Sequence, residues 1–436
     1  MLPTVPAPRD SSGPVCDPND PVARRFRALF AQLDWRCVPE RDPARPWPGR
    51  TPHPRVAYIK ALLVKVCEHQ GYITALRAYL LEHPALVLEL GFRPVVDRNQ
   101  PYGFDLERTV PGDRWLRHQQ QTLDHEVLRT LLAGTVAALA SAAPGLGTTV
   151  AVDVKHIYAW VHENNPKVTA PHRCDPDRQP RGDPDCHLGV KRQSNQAGTR
   201  GKTYLWGYGT GLVSAIHPGL GDVVLAEWTQ PFHRQDITWL APVLGQAHTH
   251  LGFPPPNLAA DAAFDAWHVY QYCAEQGGVA AIPLNQRGPR PARDADGQPC
   301  CDAGLSMTPT SQFRHEDGYR AQRYACPLRR PTPTGATCDH PRFASGGCRK
   351  VVNLEVGGQL RLTLDRQSDA YRQLYTQRTS AERINSQATA LGIERPKVRR
   401  LAGVARLNTL TYLVINARAL QRLHDRHRAH APPVLC

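Results

Sequence analysis

A chain of 436 residues with 53 Lys+Arg against 39 Asp+Glu carries a formal charge of +14. That balance points either to a polyanionic partner or to a GC-rich coding bias, and the length fits two to three domains. A hydrophobic content of 41% excludes a disordered chain, and 12 cysteines are too few for a disulfide scaffold. No apolar run reaches the roughly 18 residues of a membrane span, and the first residues lack the basic-then-apolar order of a signal peptide. A cytoplasmic protein is expected, with its cysteines as thiols or metal ligands. Arg supplies 45 of the basic residues, and its planar fork matches phosphate.

In chain order, residues 1–22 are rich in Pro, Asp and Ser and read as a flexible arm. Phe26, Leu29, Phe30 and Leu33 recur at helical spacing, as do Val56, Ile59, Leu62, Leu63 and Val66. Six prolines between 38 and 55 form a linker. Helices are expected over about 72–81 and 113–142, making 23–146 an all-α N-terminal domain. Residues 148–154 form a β-branched, nearly continuous apolar run, the pattern of a buried central strand. Strands are expected at 203–216 and 222–229, then a helix over 235–251, a short strand at 258–261, a helix over 264–276 and a strand at 279–284. This order predicts an α/β fold with a mixed sheet. Polar, basic residues 163–201 and Cys-, Gly-, Pro- and Arg-rich residues 286–350 read as insertions. After 351 come strand-like segments, one helix over 368–391, a last helix over 404–423, and a tail at 427–436.

Asp153 sits inside its apolar strand, where a charge must be paired, protonated or bound to a cation. Asp261 ends a second short strand, where ligands collect in α/β sheets. Either could instead be a helix cap or an ion-pair partner. Tyr375, Arg378 and Glu382 are spaced i, i+3 and i+7, which puts them on one face of the predicted helix, and Asn385 and Thr389 extend the stripe. Leu374 and Ile384 would dock that helix.

Together these residues resemble the DDE transposases of bacterial insertion sequences, of the insertion-sequence-four type. The signature of that family is Tyr, two residues, Arg, three residues, Glu, six residues, Lys. Tyr375, Arg378 and Glu382 fit it, and the Lys position falls on Thr389, with Arg395 or Lys397 expected to take part of the phosphate contact. Asp261 with Phe264-Asp265 resembles the Asp-x-x-Tyr-Asp pattern of the second acid. Residues 150–155 resemble the first-acid strand, and 202–208 the strand after it. The resemblance covers about 149–420. It implies an RNase H-like domain over 147–426 in which Asp153, Asp261 and Glu382 bind two Mg²⁺ or Mn²⁺. Such hard cations prefer oxygen ligands, and a pair about 4 Å apart can serve both the attacking and the leaving oxygen of an in-line displacement.

The implied activity is cleavage of transposon-end DNA by water, followed by strand transfer from the freed 3′-hydroxyl. The implied partners are double-stranded terminal inverted repeats and target DNA, with a homodimer working on the DNA. Two alternatives stand beside it: an RNase H-like nuclease without strand transfer, and an inactive transposase-derived DNA-binding protein. Asp261 and Glu382 are 121 positions apart, and the surplus is the 286–350 insertion, which the resemblance also implies. The N-terminal helices would recognise the element ends, with Arg24, Arg25, Arg27, Arg108, Arg114 and Arg117 in and around them. Arg395, Lys397, Arg399 and Arg400 form the densest basic run and are expected to grip DNA, together with Tyr375, Arg378 and Asn385.

The second insertion holds Cys300, Cys301, Cys326, Cys338 and Cys348, with His340 among them. A segment this poor in apolar residues needs a staple, and a structural Zn²⁺ would supply one. No CxxC pair is present, so unpaired thiols remain the alternative. Cys174, Cys186 and His187 offer a smaller donor set in the first insertion.

Overall fold

The computed structural model describes residues 16–42, 49, 51–194, 200–285 and 292–430. Most of the expected arm and the last six residues of the expected tail lie outside them. The N-terminal elements are α1 (Pro21–Phe30), α2 (Arg55–Cys67), α3 (Ile73–Glu82), α4 (Pro84–Leu90), β1 (Val95–Val96), β2 (Phe104–Asp105), α5 (Leu106–Thr109), α6 (Asp113–Thr122) and α7 (His125–Ala142). The central elements are β3 (Thr149–Tyr158), β4 (His187–Ser194), β5 (Arg200–His217), β6 (Gly221–Pro231), α8 (Ile237–Leu251), β7 (Asn257–Ala259), α9 (Trp267–Glu275) and β8 (Ala280–Ala281). There follow β9 (Thr308–Arg314), β10 (Arg320–Ala325), β11 (Arg349–Asn353), α10 (Val356–Thr363), α11 (Asp369–Thr376), α12 (Thr379–Ala390) and α13 (Leu401–His430). The fold is mixed α/β, and no helix of the described residues is long and apolar enough to cross a membrane.

The chain packs as two units. The first comprises Met1–Gly147, Ala151–Pro254 and Thr379–Cys436; the second comprises Thr148–Val150 and Pro255–Arg378. Buried residues between 26 and 132 share one hydrophobic core with the strands and the C-terminal helices. That core joins Phe26, Ile59, Leu76, Leu86, Leu128, Ile157, Leu212, Ile384 and Leu413. Its centre is α13, whose residues Tyr412, Leu413, Val414 and Ile415 are all buried. The middle of α13 is buried all round, its polar Asn408, Thr409 and Asn416 hydrogen-bonded, and the helix packs against α2, α7 and β6.

In the first unit β5 is the hub: β3, β4 and β6 all pair with it antiparallel. The strand β4 comes from the 163–201 insertion, which therefore adds to the sheet. One sheet face meets α8 closely, since a Cβ on Gly209 or Gly211 would lie 2.5 or 2.6 Å from the Trp239 ring. Only glycine permits that approach. On the other face α12 docks through Ser380, Ala381, Ile384 and Ala388, with Ser214 Oγ and Ser380 Oγ 2.7 Å apart.

In the second unit β7 and β8 run parallel, and Asn257 N donates to Thr148 O, so the start of β3 lies beside β7. The 286–350 insertion folds its described part into an antiparallel sheet, β11-β10-β9.

Three expected elements differ. The helix expected over 113–142 is two, because Asp124 caps α7 by accepting from Glu126 N. The single helix expected over 368–391 is also two, α11 and α12. Between them Gln377 N and Arg378 N bond back only three residues, to Leu374 O and Tyr375 O. Residues 356–363, expected as strand, are the helix α10.

Two half-buried histidines make the first unit sensitive to acid. His125 and His156 are each held down to about 4, chiefly by burial. The unfolded chain takes these protons near pH 6.5, the native chain only near 4, so stability falls as pH drops from 7 to 5. The expected loss is on the order of 2 kcal/mol per histidine. Glu227, whose carboxyl burial raises, acts in the opposite sense. Urea denaturation at both pH values, with His125→Gln and His156→Gln flattening the difference, checks this.

Candidate functional site

Asp153 lies on β3 opposite Leu212 of β5 and points to the α12 face. It is half-buried. Asn385 of α12 donates from Nδ2 to Asp153 Oδ2 at 2.8 Å, while Asp153 Oδ1 takes the Val154 amide at 2.9 Å. Asn385 Oδ1 is buried and has no hydrogen-bond partner among the described residues. Glu382 stands one turn before Asn385 on the same helix and is exposed. The packing that fixes this arrangement is local: Ala381, Ile384 and Ala388 bury one side of α12, leaving Glu382 and Asn385 on its flank. Asp153, Glu382 and the orphaned amide oxygen are hard oxygen donors, the type that divalent cations such as Mg²⁺ prefer.

Two residues beyond Asp153 on the same side of β3 is Lys155. Its Nζ donates to Thr389 Oγ1 at 2.7 Å and pairs with Glu394 Oε1 at 2.5 Å. Lys155 pulls the Glu394 carboxyl down, although burial opposes this. Thr389 is the position where the resembling family has Lys, so an ammonium group from β3 stands against it. No sequence signal links residues 234 positions apart.

Asp261, Tyr375 and Arg378 belong to the second unit, Asp153 and Glu382 to the first. Asp261 follows β7 and caps a 3-10 turn, accepting from Ala263 N at 2.9 Å. Tyr375 stacks on Tyr371 (centroids 5.7 Å apart, 12° between planes), which packs with Ala259 and Ala281 of β7 and β8. The Arg378 guanidinium sits 5.7 Å over Tyr375. The expected shared helical face of Tyr375, Arg378 and Glu382 is corrected by the break: Tyr375 is on α11, Arg378 in the turn and Glu382 on α12. Asp265 is a structural anchor. Its side chain is fully buried and takes Arg361 in a two-point ion pair (2.9 and 2.6 Å), the Tyr270 hydroxyl and the Asn285 amide.

The basic run borders two clefts of the first unit, one of about 740 Å³ and one of about 460 Å³. Arg395 lies 4.3 Å over Tyr158, and Arg399 lies 4.7 Å over Trp160. Lys397 is near both Tyr72 and Trp160. Tyr72 and Trp160 are exposed large aromatics. Cations over aromatic faces beside open clefts suit an anionic, ring-bearing ligand. Arg400 differs from its neighbours. With φ of 70°, it donates its backbone N to Asp183 Oδ2, while Leu401 N bonds to Asp185 Oδ2, and Arg400 Nη1 lies 3.7 Å from Asp185. These two acids cap α13. Arg117 also lines the larger cleft, while Arg25 and Arg27 pair with Glu68 and Glu89.

Among the cysteines of the second insertion, Cys300, Cys301, Cys326 and Cys348 are buried and Cys338 is half-buried. Asp302, His340 and Cys348 bring their ligand atoms within 4.8 Å of one another. In the first insertion Cys186 donates its thiol to Asp183 O, and Cys174 is exposed.

Glu227 of β6 was not signalled by the sequence. It faces Leu212, which faces Asp153, so both carboxylates lie on one sheet face. It is wholly buried and accepts from Thr409 at 2.5 Å and from Thr210 and Thr229 at 3.4 Å. Neither a protein-family model nor a curated protein matches the chain.

Proposed function

We propose that the chain is a DDE transposase of the insertion-sequence-four type, with an RNase H-like fold, acting on double-stranded transposon ends and target DNA. The observation that carries this reading is the Asn385–Asp153 hydrogen bond, with Glu382 one turn away on α12. The antiparallel β6-β5-β3 set, the start of β3 beside β7, and parallel β7 and β8 support the fold. Asp153, Asp261 and Glu382 would hold Mg²⁺ or Mn²⁺, which supplies Lewis-acid activation of water and of the phosphodiester. Asn385 orients Asp153. Arg378 binds phosphate as a guanidinium fork, and Arg395, Lys397 and Arg399 hold the DNA backbone. The test is incubation of the purified chain with end-bearing DNA, supercoiled target and Mg²⁺. Nicks at the element ends and joined products are expected. Nicks without joined products favour the nuclease alternative, and binding without nicks favours the inactive one.

In this reading Lys155 replaces the signature lysine, and Glu394 competes with phosphate for it. Lys155→Met is expected to weaken end binding and to reduce the salt slope by about 1, and Lys397→Ala with Arg399→Ala by about 2. Glu394→Gln is expected to tighten binding by freeing the ammonium. Fluorescence anisotropy across a salt series measures all three.

A further inference from the structure

Between residues 292 and 353 the second unit has almost no conventional core. Cys300, Cys301, Cys326 and Cys348 make up four of its six buried apolar side chains, beside Met307 and Ala321. The strand β9 is exposed along most of its length. Burial this small does not hold a three-stranded sheet, and small domains of this kind use a metal or disulfides.

Cys301 and Cys326 both lie near Cys348. Cys301, Met307 and Cys348 pack in one cluster with Tyr324 beside it. A Cβ placed on Gly347, next to Cys348, would lie 3.2 Å from Cys326 Sγ. Gly347 has φ of 84°, so glycine is required there on two counts. His340 completes the set: its Nδ1 lies 3.6 Å from Cys348 Sγ. That is about the separation of two ligands on a tetrahedral zinc, given bonds of about 2.3 Å to sulfur and 2.0–2.1 Å to nitrogen. The other ring nitrogen, Nε2, lies 3.1 Å from Asp302 Oδ2. A carboxylate that takes Nε2–H fixes the tautomer and leaves the Nδ1 lone pair for a ligand, the usual support of a zinc-bound histidine. In this structure Nδ1 takes the Arg342 amide at 3.2 Å. Lys350 Nζ, 3.3 Å from Asp302 Oδ1, holds that carboxylate from its other side.

We infer that Cys301, Cys326, Cys348 and His340 form a closed structural Zn²⁺ site, with Asp302 orienting His340 and with Cys300 and Cys338 outside it. Three thiolates and an imidazole are a soft, tetrahedral donor set that selects zinc over Mg²⁺. The site is separate from the proposed catalytic acids and does not depend on the transposase reading. It narrows the five-cysteine set of the sequence to three and adds a histidine.

The full-length protein, purified without chelator, is expected to carry about one zinc per chain by plasma mass spectrometry. Replacement by Co²⁺ is expected to give tetrahedral d–d bands and a thiolate charge-transfer band. Cys348→Ser, Cys326→Ser and His340→Ala should each cut retained metal to about a tenth or less. Cys300→Ser and Cys338→Ser should leave it unchanged. Asp302→Asn should weaken zinc by about 10–100-fold in competition with a chromogenic chelator. The inference is overturned if the wild-type chain neither retains zinc nor gives the Co²⁺ thiolate band, an outcome that needs no variant. It is equally overturned if Cys338→Ser or Cys300→Ser loses metal as Cys348→Ser does, or if mass analysis finds any of the three ligand cysteines in a disulfide.

Discussion

Replacing Asp153 by Asn, or Glu382 by Gln, is expected to lower Mg²⁺-dependent cleavage of end DNA by on the order of 10³-fold, because each change removes several kcal/mol of metal-mediated stabilisation. Asp153→Asn keeps the shape of the side chain. The two carboxylate oxygens accept from Asn385 Nδ2 and from the Val154 amide, and a carboxamide has one acceptor oxygen, so one of these hydrogen bonds is lost with the charge. Glu382 is exposed, so its replacement should leave the fold intact. DNA affinity measured alongside should change by less than about threefold, since these acids do not contact the backbone as cations do. Asn385→Ala removes a positioning group. It is expected to cost about 10–100-fold and to raise the Mg²⁺ concentration needed for half-maximal cleavage. A purely structural role for Asn385 would not move that metal requirement. Cleavage at wild-type rates in both Asp153→Asn and Glu382→Gln refutes the catalytic assignment.

Asp265→Ala is expected to destabilise the second unit by about 3–5 kcal/mol, the usual cost of leaving one half of a buried ion pair alone. The side chain of Asp265 is fully buried and binds Arg361, Tyr270 and the Asn285 amide. Its loss strands the Arg361 guanidinium, which is itself mostly buried. Arg366 joins the same network by donating to the Tyr270 hydroxyl and to Ile282 O. Chemical denaturation followed by Trp267 fluorescence should show a lowered midpoint. The double variant Asp265→Leu with Arg361→Met should recover much of the loss, because replacing both charges with apolar groups removes the desolvation cost. A single variant as stable as wild type would contradict the anchoring role.

The parts of the fold legible in the sequence are those where one local signal dominates. The apolar run 148–154 is the strand β3, and Phe26, Leu29 and Phe30 are the buried face of α1. What escaped depends on tertiary contacts or on quiet local chemistry. Gly357-Gly358 argues against a helix, yet α10 needs both, because a Cβ at Gly357 would meet Trp267 O and Gln271 N, and one at Gly358 would meet Asn353. The break at Gln377-Arg378 carries no Gly or Pro; only a shift to three-residue hydrogen bonds marks it. The cap at Asp124, by contrast, was readable from its residue type. β4 hides in a polar, basic stretch because it pairs only with β5 along the sheet path. Within the candidate site, Asp153 was legible as an acid in an apolar strand. Its partner Asn385 was legible as a neighbour of Glu382 but not as a ligand of Asp153. Lys155 and Glu227 are defined by partners far away in sequence, which periodicity does not report.

The division of the chain at 254/255 and 378/379 sets the order in which the protein can be completed as it is made. The first unit's core draws on Ala381, Ile384, Leu413 and Ile415, yet 124 residues of the second unit are synthesised before any of them. At about 5–20 residues per second, that is a wait of roughly 6–25 s. During it, the faces of β5 and α7 that α12 and α13 cover lack their partners. A ribosome-bound chain stopped before 379 should therefore bind chaperone or a hydrophobic dye at the first unit, and one released after 423 should not.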